Sequence, residues 1–296
     1  MQGLELSRRF YATHRDALLR PFMPWQERIA AGLVGFGSDR FGFDDAISQD
    51  HDFGPGFCLW LTASDYAAIG AKLQAAYDAL PASFEGHATA PASRRAGKRT
   101  GVFSIPDFYT TFLGAPALPV NDADWLQIPE YLLATVVNGR VFEDTLGDFS
   151  RWRRQLAAYY PERIQRRKLA QAAGRVSQTG QYNLPRSLAR GDAVAANLML
   201  ADFIRQCCLL AHALCRRYAP HDKWLHRSLA RLPGQETLHA QLAQLAETAP
   251  RDAAPLIVQI SSGLLEALIR AGFTEPGSDF LEHHVDSLLG GNTEIR

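Results

Sequence analysis

Residues 35–62, GFGSDRFGFDDAISQDHDFGPGFCLWLT, hold the residue types and spacing best suited to phosphate and metal chemistry. Gly37-Ser38 closes an apolar run, and Asp50-His51-Asp52 follows after a spacer of eleven residues. Without a Cβ, Gly37 lets the backbone come close to a phosphate, while Ser38 offers a hydroxyl and an amide to its oxygens. Asp50 and Asp52 are two apart, so at the start of a strand both would project to one face. Two carboxylates on one face can hold a cation that bridges them to nucleotide phosphates. Oxygen-only donors select a hard ion, Mg²⁺ or Mn²⁺, over zinc. The plain alternative for both acids is a solvent-facing turn. His51 would alternate to the other face, and Asp44, Asp45 and Ser48 read as turn formers in the spacer.

Positioning such a group requires strands on either side of it. Runs at 32–37 (GLVGFG), 56–62 (GFCLWLT), 101–105 (GVFSI) and 139–143 (GRVFE) are apolar and bounded by turn residues, which predicts strands. Residues 64–79 carry a helical pattern with Thr62 or Ser64 as N-cap, and 121–137 a second with Asn121 or Asp122. The stretch 81–100, small, polar and basic at Arg94, Arg95, Lys98 and Arg99, reads as a loop. Beyond residue 150 the strand signals stop. Helical stretches cut by Pro161, Pro185, Pro220, Pro233, Pro250 and Pro276 predict a bundle of five or six helices. The change near Gly147–Ser150 predicts two domains, 1–149 and 150–296.

The chain has 296 residues, 47% hydrophobic and 21% charged, which excludes overall disorder. Its 31 Lys+Arg balance 31 Asp+Glu, so bulk attraction to nucleic acid or an anionic membrane is not expected. Four cysteines without a CxxC pair read as free thiols of a reducing compartment. The N-terminal segment lacks a signal-peptide pattern, and the apolar stretch 253–265 is too short and too polar to span a bilayer. The expectation is a cytoplasmic protein with no membrane partner.

The order hydrophobic-Gly-Ser, spacer, Asp-x-Asp resembles the signature of the DNA polymerase β-like nucleotidyltransferase superfamily. The chain as a whole is similar to a bacterial family of uncharacterised proteins with such an N-terminal half and a helical C-terminal half. The segments that carry this likeness are 35–57, 125–149 (WLQIPEYLLATVVNGRVFEDTLGDF), 159–191 (YYPERIQRRKLAQAAGRVSQTGQYNLPRSLARG) and 218–232 (YAPHDKWLHRSLARL). The resemblance implies an α+β fold: a nucleotidyltransferase-like mixed sheet with flanking helices, followed by an all-α helical bundle. It implies Mg²⁺-dependent transfer of a nucleoside monophosphate from a triphosphate such as ATP to an acceptor hydroxyl, with the acceptor a small molecule. Asp50 and Asp52 would hold the metal, Gly37 and Ser38 the β/γ-phosphates, and Lys168, Arg186 or Lys223 would clamp the triphosphate.

The superfamily also places a third carboxylate on the next long strand. Here that strand should be 101–105, and it offers Phe103 and Ser104 instead. Asp107 is the nearest substitute in sequence and Glu85 lies in the preceding loop; Glu143 and Asp144 belong to a later strand. Two other functions therefore stay open: a catalytically impaired protein that binds nucleotide or regulates, and a toxin-like enzyme that modifies protein or RNA.

In the helical half, Gln178, Gln181, Tyr182, Asn183 and Arg186 cluster where Gly180 predicts a helix break. They could bind base, sugar or acceptor, although loops tolerate such composition without function. Lys168 and Lys223 have the ordinary alternative of solvated charge, and Trp224 reads as core. Cys208, His212 and Cys215 share a helix face but lack a fourth ligand, so buried thiols and a satisfied histidine are expected. His283-His284 reads as surface.

Overall fold

The computed structural model describes residues 2–45, 47, 53–89 and 98–291. It is α+β and divides into two compact units, Met1–Ala158 and Tyr159–Arg296. The division lies past the texture change at Gly147–Ser150, because the intervening helix belongs to the first unit. Its Phe149 is fully buried and stacks on Trp60 of the sheet, ring centroids 3.7 Å apart.

The first unit is built on a mixed four-stranded sheet of β1 (Ala30–Leu33), β2 (Cys58–Leu61), β5 (Gly101–Ser104) and β6 (Arg140–Glu143), in the order β5-β2-β1-β6. β2 runs antiparallel to β1 and parallel to β5, while β6 pairs antiparallel with β1. A small hairpin, β3 (Ser83–Phe84) and β4 (His87–Ala88), turns at Glu85-Gly86 inside the stretch read as loop. Its Glu85 pairs with Arg9 at 2.6 Å.

The run expected as a strand over 32–37 is only partly one. β1 starts earlier, at Ala30, and stops at Leu33, and beyond it Gly35 and Gly37 adopt φ of 115° and 145° as the chain turns.

Helices cover the sheet. In α1 (Gly3–Leu19), Leu6, Phe10, Tyr11, Leu18 and Leu19 are buried. Phe10 and Tyr11 join Phe57, Leu59, Leu61, Ile69, Leu73 and Val102 in one core. A short helix, α2 (Ser38–Phe41), follows Gly37, and α3 (Ala63–Asp78) starts at the expected cap, where Thr62 Oγ1 accepts the Asp65 N–H. α4 (Ile105–Leu113) continues directly from β5 and runs back along the sheet, so that Phe112 meets Phe36 at 5.1 Å between rings.

The helix expected over 121–137 is two, α5 (Asp122–Gln127) and α6 (Glu130–Val136), split by Pro129. Asn121 caps the first in a reciprocal capping box with Asp124. α7 (Asp148–Ala157) closes the unit.

The second unit is helical: α8 (Glu162–Val176), α9 (Leu184–Ala189), α10 (Ala193–Leu214), α11 (Asp222–Leu229), α12 (Glu236–Ala246), α13 (Ala254–Arg270) and α14 (Val285–Leu288). Between α8 and α9 the chain does not break at Gly180. It widens into a π-helical stretch, Ser177–Asn183. Pro185 supplies the reason: it donates no hydrogen bond and crowds the preceding turn, and the wider turn absorbs both defects. Phe203, Cys207, Leu210 and Ala211 of α10 are buried at the centre of the unit's core. By length and composition alone α10 would also suffice to cross a membrane.

Candidate functional site

The turn that leaves β1 is the best-defined local geometry near the sequence motif. Gly35 is gripped from both sides by one side chain: its N–H donates to Asn138 Oδ1 at 2.9 Å, and Asn138 Nδ2 donates to its carbonyl at 2.8 Å. Gly139 N–H donates to the Arg40 carbonyl at 2.9 Å. Gly139 has φ 64°, and a Cβ there would collide with the Leu33 carbonyl, so only glycine lets the two chains approach. Arg153 secures the far side, its Nη2 donating to the carbonyls of Val137, Asn138 and Gly139 at 2.7, 2.9 and 3.2 Å. Burial holds this guanidinium below its ordinary pKa.

Within that frame Gly37 takes its left-handed φ and Ser38 is half-buried at the head of α2. Ser38 and Asp39 carbonyls accept the N–H groups of Phe43 and Gly42 at 2.8 and 3.0 Å, which closes the turn. The side chains of Asp39 and Arg40 pair beside it, Arg40 Nη1 lying 2.7 and 2.8 Å from the two carboxylate oxygens. Asp44, read as a turn former, instead accepts the Gly3 N–H at the start of α1 at 2.8 Å.

Asp50 and Asp52, with His51 and Ser48, lie outside the described residues. The strand they were expected to begin starts only at Cys58, after Gly54-Pro55-Gly56, so strand alternation does not reach back to them. The pairing of β1 with β2 does fix one relation. Gly32 lies opposite Cys58 and Ala30 opposite Trp60, so the chain enters β2 at the same end of the sheet where β1 runs into the Gly37 turn.

The same register moves Asp107 away. β5 is parallel to β2, with Gly101 opposite Cys58 and Ser104 opposite Leu61. Asp107 follows Ser104 in the first turn of α4, where its N–H donates to Ser104 Oγ at 3.2 Å. It therefore sits at the end of the sheet opposite the Gly37 turn. At roughly 3.3 Å per residue, β5 alone puts about 10 Å between those ends. Asp107 thus begins α4 past the far end of β5. Phe103 lies opposite Trp60, and the Lys98 ammonium sits 4.7 Å from its ring centroid.

The acids of β6 are committed elsewhere. Glu143 takes Arg15 through Nε at 2.6 Å and Nη2 at 2.5 Å, and Tyr11 Oη at 2.6 Å. The Arg15 hydrogen bonds hold its carboxyl below the usual range against the opposing effect of burial. Asp144 accepts the N–H groups of Gly147 and Ser150 at 2.9 and 2.7 Å, setting the start of α7. Among the described residues, no group of three His, Cys, Asp or Glu side chains could hold a metal ion.

The candidates of the helical unit do not gather at one place. Lys168 belongs to a tyrosine group, its Nζ 5.6 Å from the Tyr160 ring, with Tyr159 and Tyr218 alongside. Tyr182 lies near the end of the π-helical stretch and Arg186 just past it, roughly 20 Å further along the same helical run at 1.5 Å per residue. There Arg186 Nη1 donates to Tyr182 Oη at 2.8 Å and its guanidinium lies 4.8 Å from the Tyr182 ring, both residues being exposed.

Gln181 is occupied differently. Its amide donates to the Asp279 carbonyl at 2.7 Å and accepts the Leu281 N–H at 3.0 Å, tying down the C-terminal segment. Gln178 adds a bond to Glu282, and Asn183 reaches Gln178 at 3.4 Å. Lys223 is exposed, its Nζ 4.3 Å from the Trp224 ring.

His212 is buried and satisfied: Nδ1 donates to the Cys208 carbonyl at 2.7 Å, and Nε2 lies 2.9 Å from Ser228 Oγ. Burial pushes its pKa down to about 4. His284 departs from the surface reading, being buried between Thr274 Oγ1 at 2.8 Å and the Ser278 carbonyl at 2.7 Å.

Sequence reasoning missed Asp39, Arg40, Asn138 and Arg153. Asn138-Gly139 was visible as a turn signal, but nothing in its spacing pointed across the fold to Gly35.

Residues 125–225 match the family described as a domain of unknown function, DUF4037. The matched stretch includes Asn138, Arg153, the tyrosine group and the π-helical stretch. No curated protein and no solved structure matches the chain.

Proposed function

We propose that the chain is a Mg²⁺-dependent nucleotidyltransferase that moves a nucleoside monophosphate from a triphosphate to the hydroxyl of a small acceptor. The observation that carries this reading is the Gly37-Ser38 turn, anchored by Asn138 and Gly139 at the end of the sheet where the chain enters β2. Asp50 and Asp52 come just before Phe53 in the sequence. A nucleotidyltransferase-like sheet would put a phosphate cradle and a pair of metal-binding acids together in this way.

Two carboxylates suit a hard divalent cation. The described acids around the turn, Asp39, Asp44, Glu143 and Asp144, are each bound to a guanidinium or a backbone N–H. The metal would therefore rest on Asp50 and Asp52, and it would supply charge neutralisation at the phosphates. Gly37 would admit the phosphate chain and Ser38 would orient it. In the transfer, the acceptor hydroxyl loses its proton to solvent as its oxygen bonds to the α-phosphorus, the α–β anhydride bond breaks, and pyrophosphate leaves with its electron pair.

One observation favours a second reading. Phe103, under the Lys98 ammonium, stands where a general base would be expected, and Asp107 is at the other end of the sheet. A protein that binds nucleotide and regulates through it would need no such base.

Incubation with each α-labelled triphosphate, Mg²⁺ and a panel of metabolites, proteins and RNA separates these readings. Labelled acceptor with stoichiometric pyrophosphate supports the transferase and shows whether the acceptor is small. Tight binding without release of pyrophosphate supports the binder.

A further inference from the structure

We propose that Asp39 and Arg40 form a charge latch on the Gly37 turn, in which Arg40 is the guanidinium that takes a polyphosphate and Asp39 is the carboxylate it leaves to do so. The inference rests on the nucleotidyltransferase reading for its natural ligand, but not for its geometry. Arg40 is nearly enclosed, its side chain only 7% exposed, and Asp39 is 14% exposed. Yet its partner is the residue next to it. Both bonds to Asp39 run from Nη1, so this pair does not use the two-pronged face that a guanidinium normally presents to an oxyanion. Arg40 Nε is buried and donates to nothing among the described residues. A buried charged donor left without an acceptor is expensive, and a phosphate oxygen is the kind of acceptor that would satisfy it.

The latch lies on the turn itself. A Cβ at Gly37 would overlap the Asp39 carboxylate and fall 2.5 Å from Arg40 Nη1, and the φ of 145° independently excludes other residues. The backbone beneath is fixed: the Arg40 carbonyl accepts from Gly139 at 2.9 Å and the Asp39 carbonyl from Gly42 at 3.0 Å. Exchange of partners therefore needs side-chain rotation and release of the Arg40 backbone N–H, which Asp39 Oδ1 accepts at 3.0 Å. Without ligand, Asp39 holds the cation in place and lowers the attraction of the turn for stray monovalent anions. A polyphosphate carries enough charge to displace it.

The test is calorimetric binding of inorganic tripolyphosphate and of Mg²⁺–nucleoside triphosphate to wild type, Arg40→Gln and Asp39→Asn. The latch requires opposite signs. Arg40→Gln weakens tripolyphosphate by about tenfold or more, and Asp39→Asn tightens it by about threefold or more. Melting temperatures report whether each variant folds; should Arg40→Gln fail to fold, Asp39→Asn still decides, because a merely structural ion pair predicts weakening there. Weaker or unchanged binding in Asp39→Asn overturns the latch. Opposite signs with tripolyphosphate but no nucleotide binding keep the latch and sink the nucleotidyltransferase reading. Equal nucleotide binding by all three proteins does the reverse, and no binding of either probe by wild type overturns both.

Discussion

Asn138 and Gly35 exchange two hydrogen bonds across the fold, the Gly35 N–H donating to Asn138 Oδ1 at 2.9 Å and Asn138 Nδ2 donating to the Gly35 carbonyl at 2.8 Å. One amide thereby replaces the strand partner that Gly35 loses when β1 ends. Asn138→Asp keeps the acceptor but removes the donor, and Asn138→Ala removes both. Asn138→Ala should cost about 1–3 kcal/mol in urea denaturation, with Asn138→Asp at least as costly because a carboxylate then faces a carbonyl. Both variants should weaken triphosphate binding by more than their loss of folded protein explains.

Gly180 makes a similar prediction in the helical unit. A Cβ there would run into the Phe203 ring and stand 3.2 Å from Ile257. Gly180→Ala should destabilise this unit by about 1–3 kcal/mol, since the fully buried Phe203 has little room to retreat. Thermal melts of Gly180→Ala/Phe203→Leu should recover part of the loss; no recovery would show that backbone conformation, not the ring, sets the cost.

The buried His212 gives the protein an acid-sensitive element. Its native pKa is depressed to about 4 from 6.5 by burial, so its stabilising contribution is complete above the unfolded value. As pH falls from 6.5 to about 4 the unfolded chain binds a proton that the native state refuses, and stability drops, by about 3 kcal/mol at most. Chemical denaturation at stepped pH should show this slope in wild type. His212→Gln should be less stable at neutral pH, and its curve should be flatter across the same interval.

Asp107 lies at the opposite end of the sheet from the Gly37 turn, which makes it a useful control. Asp107→Asn should leave triphosphate affinity unchanged and cost no more than about 0.5 kcal/mol, through the lost charge at the start of α4. A tenfold loss of affinity would show that the register argument misplaces it.

Much of this fold was legible because local patterns and tertiary packing agree. Thr62 before a helical pattern, the runs around Val102 and Val141, and the capping residue Asn121 all mark elements that form close to where the patterns fall. The misses have physical causes. β1 ends before Gly35 and Gly37, whose positive φ an apolar run does not advertise. Pro185 was read as a breaker, but a π-helical stretch carries the chain past it. Gln181, which looked available to a ligand, holds the segment around Leu281, a contact between residues a hundred positions apart. The Asp39–Arg40 pair escaped notice because adjacent opposite charges usually meet only water. The two acids on which the metal reading depends, Asp50 and Asp52, lie outside the described residues.

The most direct measurement is the affinity of Mg²⁺–triphosphate for wild type and for Asp50→Ala/Asp52→Ala, by equilibrium dialysis with labelled nucleotide, at temperatures where both proteins melt alike. The nucleotidyltransferase account predicts saturable, Mg²⁺-dependent binding to wild type and its loss in the double variant. Undiminished Mg²⁺-dependent binding in the double variant would contradict it.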